Sequence, residues 1–161
     1  MATTPPGGRD GGGSDVAAIH GTAISVDGVG VLIRGPSGSG KSDLALRMID
    51  CGAYLVADDR IILEPIDGAL EARGPVTLQG KIEVRGLGVV SLPETKVAPV
   101  VKIELVVDLS ESRDEIERMP EALPVELDGV ELPRLRLWPF EASAVAKVRL
   151  AIRLKSENIN T

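Results

Sequence analysis

The octapeptide GPSGSGKS, residues 35–42, lies between an apolar run, GVLIRG, and a segment of helical periodicity, DLALRMIDC. It matches G-x-x-x-x-G-K-[ST] at every fixed position. The pattern restricts the fold because it works only where a strand ends, a loop turns and a helix begins. Gly38 and Gly40 permit backbone conformations that turn successive N–H groups inward, where a phosphate accepts from them. The helix N-terminus adds the positive end of its dipole at the same place. Lys41 supplies a mobile charge for β- and γ-phosphates, and the Ser42 hydroxyl suits Mg²⁺. Gly35, Pro36, Ser37, Gly38, Ser39, Gly40, Lys41 and Ser42 are therefore the candidate nucleotide-binding residues. The bland alternative is a Gly/Ser turn with an incidental lysine, but a chance match in a chain this long is on the order of one per cent.

The 161 residues suffice for about one domain, and an aromatic share of 2% requires an aliphatic core. Residues 1–15 are Gly, Pro, Thr and Ser with little to bury and are expected to form a disordered tail, with residues 155–161 frayed and the domain between them over 16–154. AAIHGTAISV and GVLIRG read as strands joined at Asp27-Gly28. A helix follows from about Lys41 to Cys51. Leu44, Ala45, Met48 and Ile49 form its apolar face, Asp43 and Arg47 pair outside, and Gly52 stops it. Cys51 falls within that apolar pattern and is expected to be buried filler. AYLVADD reads as a buried strand ending in two carboxylates, and RIILEPIDGALEARG as a hairpin around Asp67-Gly68. KIEVRGLGVV alternates in part, broken by Gly86 and Gly88, and VVKIELVVDLS is the clearest long strand. Ser110 is expected to cap a short acidic helix, ESRDEIERM, that Pro120 ends. VELDGVELPRLRLW reads as another hairpin, and EASAVAKVRLAIRLK as a closing amphipathic helix. The order strand, glycine loop, helix, strand specifies an α/β unit, strand-rich with few helices.

A net charge of −6 argues against a broad basic surface for duplex nucleic acid, though not against a local pocket for an anionic nucleotide. No apolar run is long enough to span a bilayer, and one cysteine cannot form an internal disulfide, so the cytoplasm is the default expectation. Asp58 and Asp59 are the next candidates after the glycine loop. Adjacent residues on an extended backbone point to opposite sides, so one acid can face a metal and the other an incoming hydroxyl. Taken alone, Asp-Asp-Arg is a solvated turn; the phosphate loop upstream shifts the balance.

Four blocks in order, IHGTAISVDGVGVLIRG, GPSGSGKSDLALRMIDCGAYLVADD, KIEVRGLGVVSL and VVKIELVVDLSE with ERM, resemble the bacterial HPr kinase/phosphorylases over residues 19–154. The glycine loop by itself is generic; its combination with the upstream His-Gly, Val-Ala-Asp-Asp and Ile-Glu-Val-Arg-Gly-Leu-Gly is specific. The resemblance implies a P-loop α/β kinase domain related to phosphoenolpyruvate carboxykinase. It also implies ATP- and Mg²⁺-dependent phosphorylation of a serine on HPr, the phosphocarrier of the sugar phosphotransferase system, with phosphorolysis in some members. By the same resemblance the chain is a short form, the catalytic domain alone, and a hexamer is the family's assembly. His20 matches an active-site histidine, and Asp58 and Asp59 match the acidic pair, with Asp59 favoured as base. Glu83 matches a metal-linked acid with Arg85 beside it, and Arg118 matches an arginine that handles phosphate. Glu83 and Arg85 also fit a solvent-facing alternation, and Arg118 an ordinary helix-end charge. The sequence departs from the family's pattern at PETKVAPV and at Pro120. A small-molecule P-loop kinase and a non-catalytic nucleotide-sensing module are the rival readings.

Overall fold

The structure, a computed structural model, describes residues 18–159, so the expected tail over 1–15 lies outside the described residues. Strands β1 (Ala18–Val26) and β2 (Val29–Arg34) form the first hairpin, and helix α1 (Lys41–Asp50) follows the glycine loop. After α1 come β3 (Tyr54–Ile66), β4 (Ala69–Arg73), the small hairpin β5 (Lys81–Val84) and β6 (Gly88–Ser91), and β7 (Val100–Leu109). The chain ends with β8 (Val125–Leu127), β9 (Val130–Leu132), β10 (Arg134–Leu137) and helix α2 (Ala144–Ile159).

The main sheet runs β10-β7-β2-β1-β3-β4, and β4 pairs again with β7. That second pairing curls the sheet into a barrel. One edge of β7 carries β2, while the other is shared by β4 at Val100–Lys102 and β10 at Val106–Leu109. Closure leaves two apolar compartments rather than one. Inside the curl lie Ala23, Leu32, Val56, Ala57, Ile61, Leu63, Leu70, Ile103 and Val106. Outside it, Ile24, Val31, Ile33, Leu55, Leu105 and Val107 pack beneath Leu44, Ala45, Met48 and Ile49 of α1 and Ala144, Val148 and Ile152 of α2. Strands buried on both faces read as continuous apolar runs, which is why GVLIRG and AYLVA carry no polar alternation.

A β-bulge orders the functional end of β3. The register against β1 shifts between Ala23 and Ile24, leaving Val56 as the extra residue. Val56 and Ala57 consequently both enter the inner compartment, and Asp58 turns toward α1.

Several expectations need correcting. The strand does not end at the two aspartates; it continues to Ile66, and Asp59 alone breaks its extended geometry, at φ 71. ESRDEIERM forms only a 3₁₀ turn at Arg113–Glu115. The Ser110 hydroxyl donates to the Ser112 carbonyl instead of capping a helix. A segment this short, with Arg118 and Met119 exposed and little apolar face to pack, does not offset the cost of helix nucleation. Cys51 is exposed because it sits at the C-cap, one residue past the packed turn. Helix α2 runs past Leu154 to Ile159, since Lys155-Ser-Glu-Asn contains no breaker.

Candidate active site

Strand β2 delivers the chain to Gly35, and α1 begins at Lys41 after Gly40, which is left-handed at φ 103. Within the loop the Ser39 amide donates to the Pro36 carbonyl at 3.0 Å, making a tight turn. The amides opening α1 have no intrahelical acceptor and are available to an anion. Lys41 Nζ donates to the Gly35 and Pro36 carbonyls at 2.8 and 3.0 Å, so the ammonium is folded against its own loop. Ser39 Oγ is buried and has no hydrogen-bond partner among the described residues. An orphaned hydroxyl and helix-opening amides in one loop fit a phosphate chain, which supplies the missing acceptors.

Asp58 is the centre of the site. It is only 7% exposed and accepts three hydrogen bonds. Thr22 Oγ1 donates to Oδ1 at 3.0 Å, Ser42 Oγ donates to the same oxygen at 2.7 Å, and the Glu83 amide donates to Oδ2 at 3.0 Å. Elements far apart in sequence therefore meet on one carboxylate: β1, the start of α1 and β5. Ser42 and Asp58 offer a hydroxyl and a carboxylate side by side. Mg²⁺ takes such oxygen donors, usually with one or two carboxylates, substrate phosphates and waters completing its shell, so this pair fits it. Among the described residues no group of three or more His, Cys, Asp or Glu side chains could hold a metal by itself.

Asp59 lies on the exposed side of the same strand, and His20 Nδ1 stands 3.7 Å from its Oδ1, an ion pair only when the imidazole is protonated. Their side chains are 72% and 78% exposed, so both are open to an incoming group. Glu83 reaches Asp58 through its backbone amide; its carboxylate has no hydrogen-bond or ion-pair partner among the described residues. Arg85 lies exposed in the turn between β5 and β6, where Gly86 and Gly88 take positive φ. Arg118 is exposed beyond the 3₁₀ turn, and among the described residues no hydrogen bond or ion pair links it to Asp58 or the loop. Lys41, Ser42, Asp58, Asp59 and His20 are thus gathered, and Arg118 is not joined to them.

Compared with known proteins, residues 14–152 match the family described as the HPr Serine kinase C-terminal domain. The chain belongs to that family. An HPr kinase/phosphorylase of Bordetella pertussis is 42% identical over 109 residues, covering 63% of this chain and 35% of the relative. One from Clostridium novyi is 45% identical over 75 residues, covering 47% of this chain and 24% of the relative. The chain thus spans roughly a quarter to a third of these relatives. The HPr(Ser) kinase/phosphatase of Coxiella burnetii shares the fold, with a TM-score of 0.79 at 23% identity over 90% of this chain and 99% of that one. The P-loop kinase-type α/β architecture expected from the sequence is therefore the fold of an HPr serine kinase domain.

Two features of the site escaped the sequence. Thr22 is fully buried against Asp58, and only the two-residue period from His20 on β1 hinted at its direction. Arg34, the residue before the loop, donates to Asp108 at 2.7 and 2.9 Å, and Arg134 donates to the same carboxylate. Burial pushes the Asp108 carboxyl up, but the hydrogen bonds from Arg34 and Arg134 outweigh it and hold the group below the ordinary carboxylate value. The same hydrogen bond raises the Arg34 guanidinium against its own burial. This cluster ties the ends of β2, β7 and β10 together where the loop departs. No helix of the described residues is long and apolar enough to cross a membrane.

Proposed function

We propose that this domain is an ATP-dependent serine protein kinase whose acceptor is HPr or an HPr-like phosphocarrier protein. The observation that carries the reading is the Asp58 hub, which joins the P-loop serine to the strand bearing Asp59. The unpaired loop amides where α1 begins, together with Lys41, bind and orient the terminal phosphates. Ser42 and Asp58 would hold Mg²⁺, which when bound neutralises charge on those phosphates. Lys41 is kept near the phosphate position by the two loop carbonyls and needs only side-chain rotation to reach it. Asp59, whose side chain stands exposed on β3 where the backbone turns left-handed, accepts the proton of the serine hydroxyl as that oxygen attacks in line. His20 faces Asp59 and positions that carboxylate. The tip of the β5–β6 hairpin, with Arg85 and its flanking glycines, stands exposed next to the site for the protein acceptor. Arg118 is proposed to reach phosphate only when the acceptor is bound. Phosphorolysis, a hexameric assembly and a cytoplasmic location belong to the same proposal and follow from the family alone.

The test is incubation of the protein with γ-labelled ATP, Mg²⁺ and the organism's HPr-like protein, followed by locating the modified residue. Label on a serine of the phosphocarrier is expected. Transfer to a metabolite instead would favour a small-molecule kinase, and ATP binding with no transfer a sensing module. The Asp59→Asn variant is expected to bind ATP as the wild type does and to transfer nothing; full phosphorylation by it would remove Asp59 from the role of base.

A further inference from the structure

The chain contains one Phe, one Trp and one Tyr, and two of the three fall in the segment Trp138-Pro139-Phe140. This segment lies between β10 and α2, far from the glycine loop in sequence, yet it packs on that loop. A Cβ built on Gly40 would stand 2.9 Å from Cζ of Phe140 and 3.2 Å from Cγ of Pro139. Arg47, on the second turn of α1, donates from Nη2 to the Pro139 carbonyl at 2.6 Å and fixes the segment against the helix. Trp138 meets the Phe140 ring edge to face, with centroids 6.3 Å apart and planes at 78°. Phe140 is nevertheless 57% exposed. An aromatic ring pinned by a helix and a second ring, and still open to solvent beside a phosphate loop, has an unused π-face.

We infer that Phe140 is the platform on which the base of the bound nucleoside triphosphate stacks. The inference rests on the reading of residues 35–42 as the phosphate cradle. That cradle recognises phosphate through amides and Lys41 and has no means of recognising a base. A ring in contact with Gly40 stands at the rim of the phosphate loop, within reach of the ribose and base that extend from phosphates held there, and stacking is tolerant of base identity because every base has a π-face. Phe140 therefore contributes affinity for nucleotides over bare polyphosphate, with little choice between adenine and guanine.

The experiment titrates the full chain with Mg²⁺ and either ATP or inorganic tripolyphosphate by calorimetry, for the wild type, Phe140→Leu and Phe140→Tyr. Leucine keeps an apolar contact with Gly40 but removes the π-face; tyrosine keeps both. The expected result is ATP affinity weakened roughly tenfold in Phe140→Leu, from the usual worth of base stacking, with tripolyphosphate affinity unchanged and Phe140→Tyr near wild type. Equal loss for both ligands in Phe140→Leu would reassign Phe140 to loop packing and overturn the inference. Unchanged ATP affinity in Phe140→Leu would overturn it too. A wild type that binds tripolyphosphate as tightly as ATP would refute the platform while leaving the cradle intact. One that binds neither would refute both.

Discussion

Replacing Asp58 by Asn preserves shape and removes an acceptor, which makes it a sharp probe of the hub. Oδ1 accepts from Thr22 and Ser42, and Oδ2 accepts from the Glu83 amide. An asparagine with its oxygen in the first position sets an NH₂ against the Glu83 N–H, donor to donor. With the amide flipped, the two hydroxyls lose their acceptor; hydroxyls can rotate to other partners, whereas a backbone N–H cannot. The first arrangement thus orphans one part-buried donor, and the second weakens two adaptable ones. An unsatisfied buried polar group costs about 1–3 kcal/mol. For a domain of this size that corresponds to a fall in Tm of roughly 3–10 °C. Relief of the buried charge acts the other way, and it is the smaller effect because three donors already solvate the carboxylate. Binding separates further: Mg²⁺ with ATP should raise the wild-type Tm by mass action, while Asp58→Asn should lose the Mg²⁺-dependent part of that rise. Differential scanning fluorimetry with ATP, with and without Mg²⁺, reads both. A variant that melts at the wild-type temperature and keeps the full Mg²⁺-dependent rise would show that the hub neither supports the fold nor holds the metal.

Two further outcomes follow from the scaffold around the site. Asp108 has its carboxyl held below the ordinary value in the folded state, so its contribution to stability is fully present above the unfolded carboxylate pKa and is lost as pH falls through the folded one. Urea denaturation of wild type and Asp108→Asn should therefore differ most near neutrality and converge in acid; a constant gap between the curves would contradict this. Gly30→Ala would place a Cβ 2.2 Å from the Lys102 carbonyl oxygen, where neither backbone can yield without opening the β2–β7 seam, and a loss of at least ~1–3 kcal/mol is expected. Chemical denaturation with no measurable change would refute that close approach.

The phosphate loop, the helix behind it and the turns at Asp27-Gly28, Asp67-Gly68 and Asp128-Gly129 were legible because each depends on the φ preferences of a few adjacent residues. All three of those aspartates, and the glycines after them, take positive φ, as tight hairpin turns demand. The adjacency of Asp58 and Asp59 was legible in the same way, as was the family itself. What one acid does and what the other does was decided by pairing. The extra residue at Val56, visible only against β1, rotates Asp58 toward Ser42, and the left-handed turn at Asp59 sends the next carboxylate into solvent. Closure of the barrel through β4 and β7, the Arg34–Asp108–Arg134 cluster and the contact of Phe140 with Gly40 join segments that share no local pattern. Local sequence fixes backbone torsions within a few residues, whereas which side chains meet across the sheet depends on register, and register is settled only when the whole core packs.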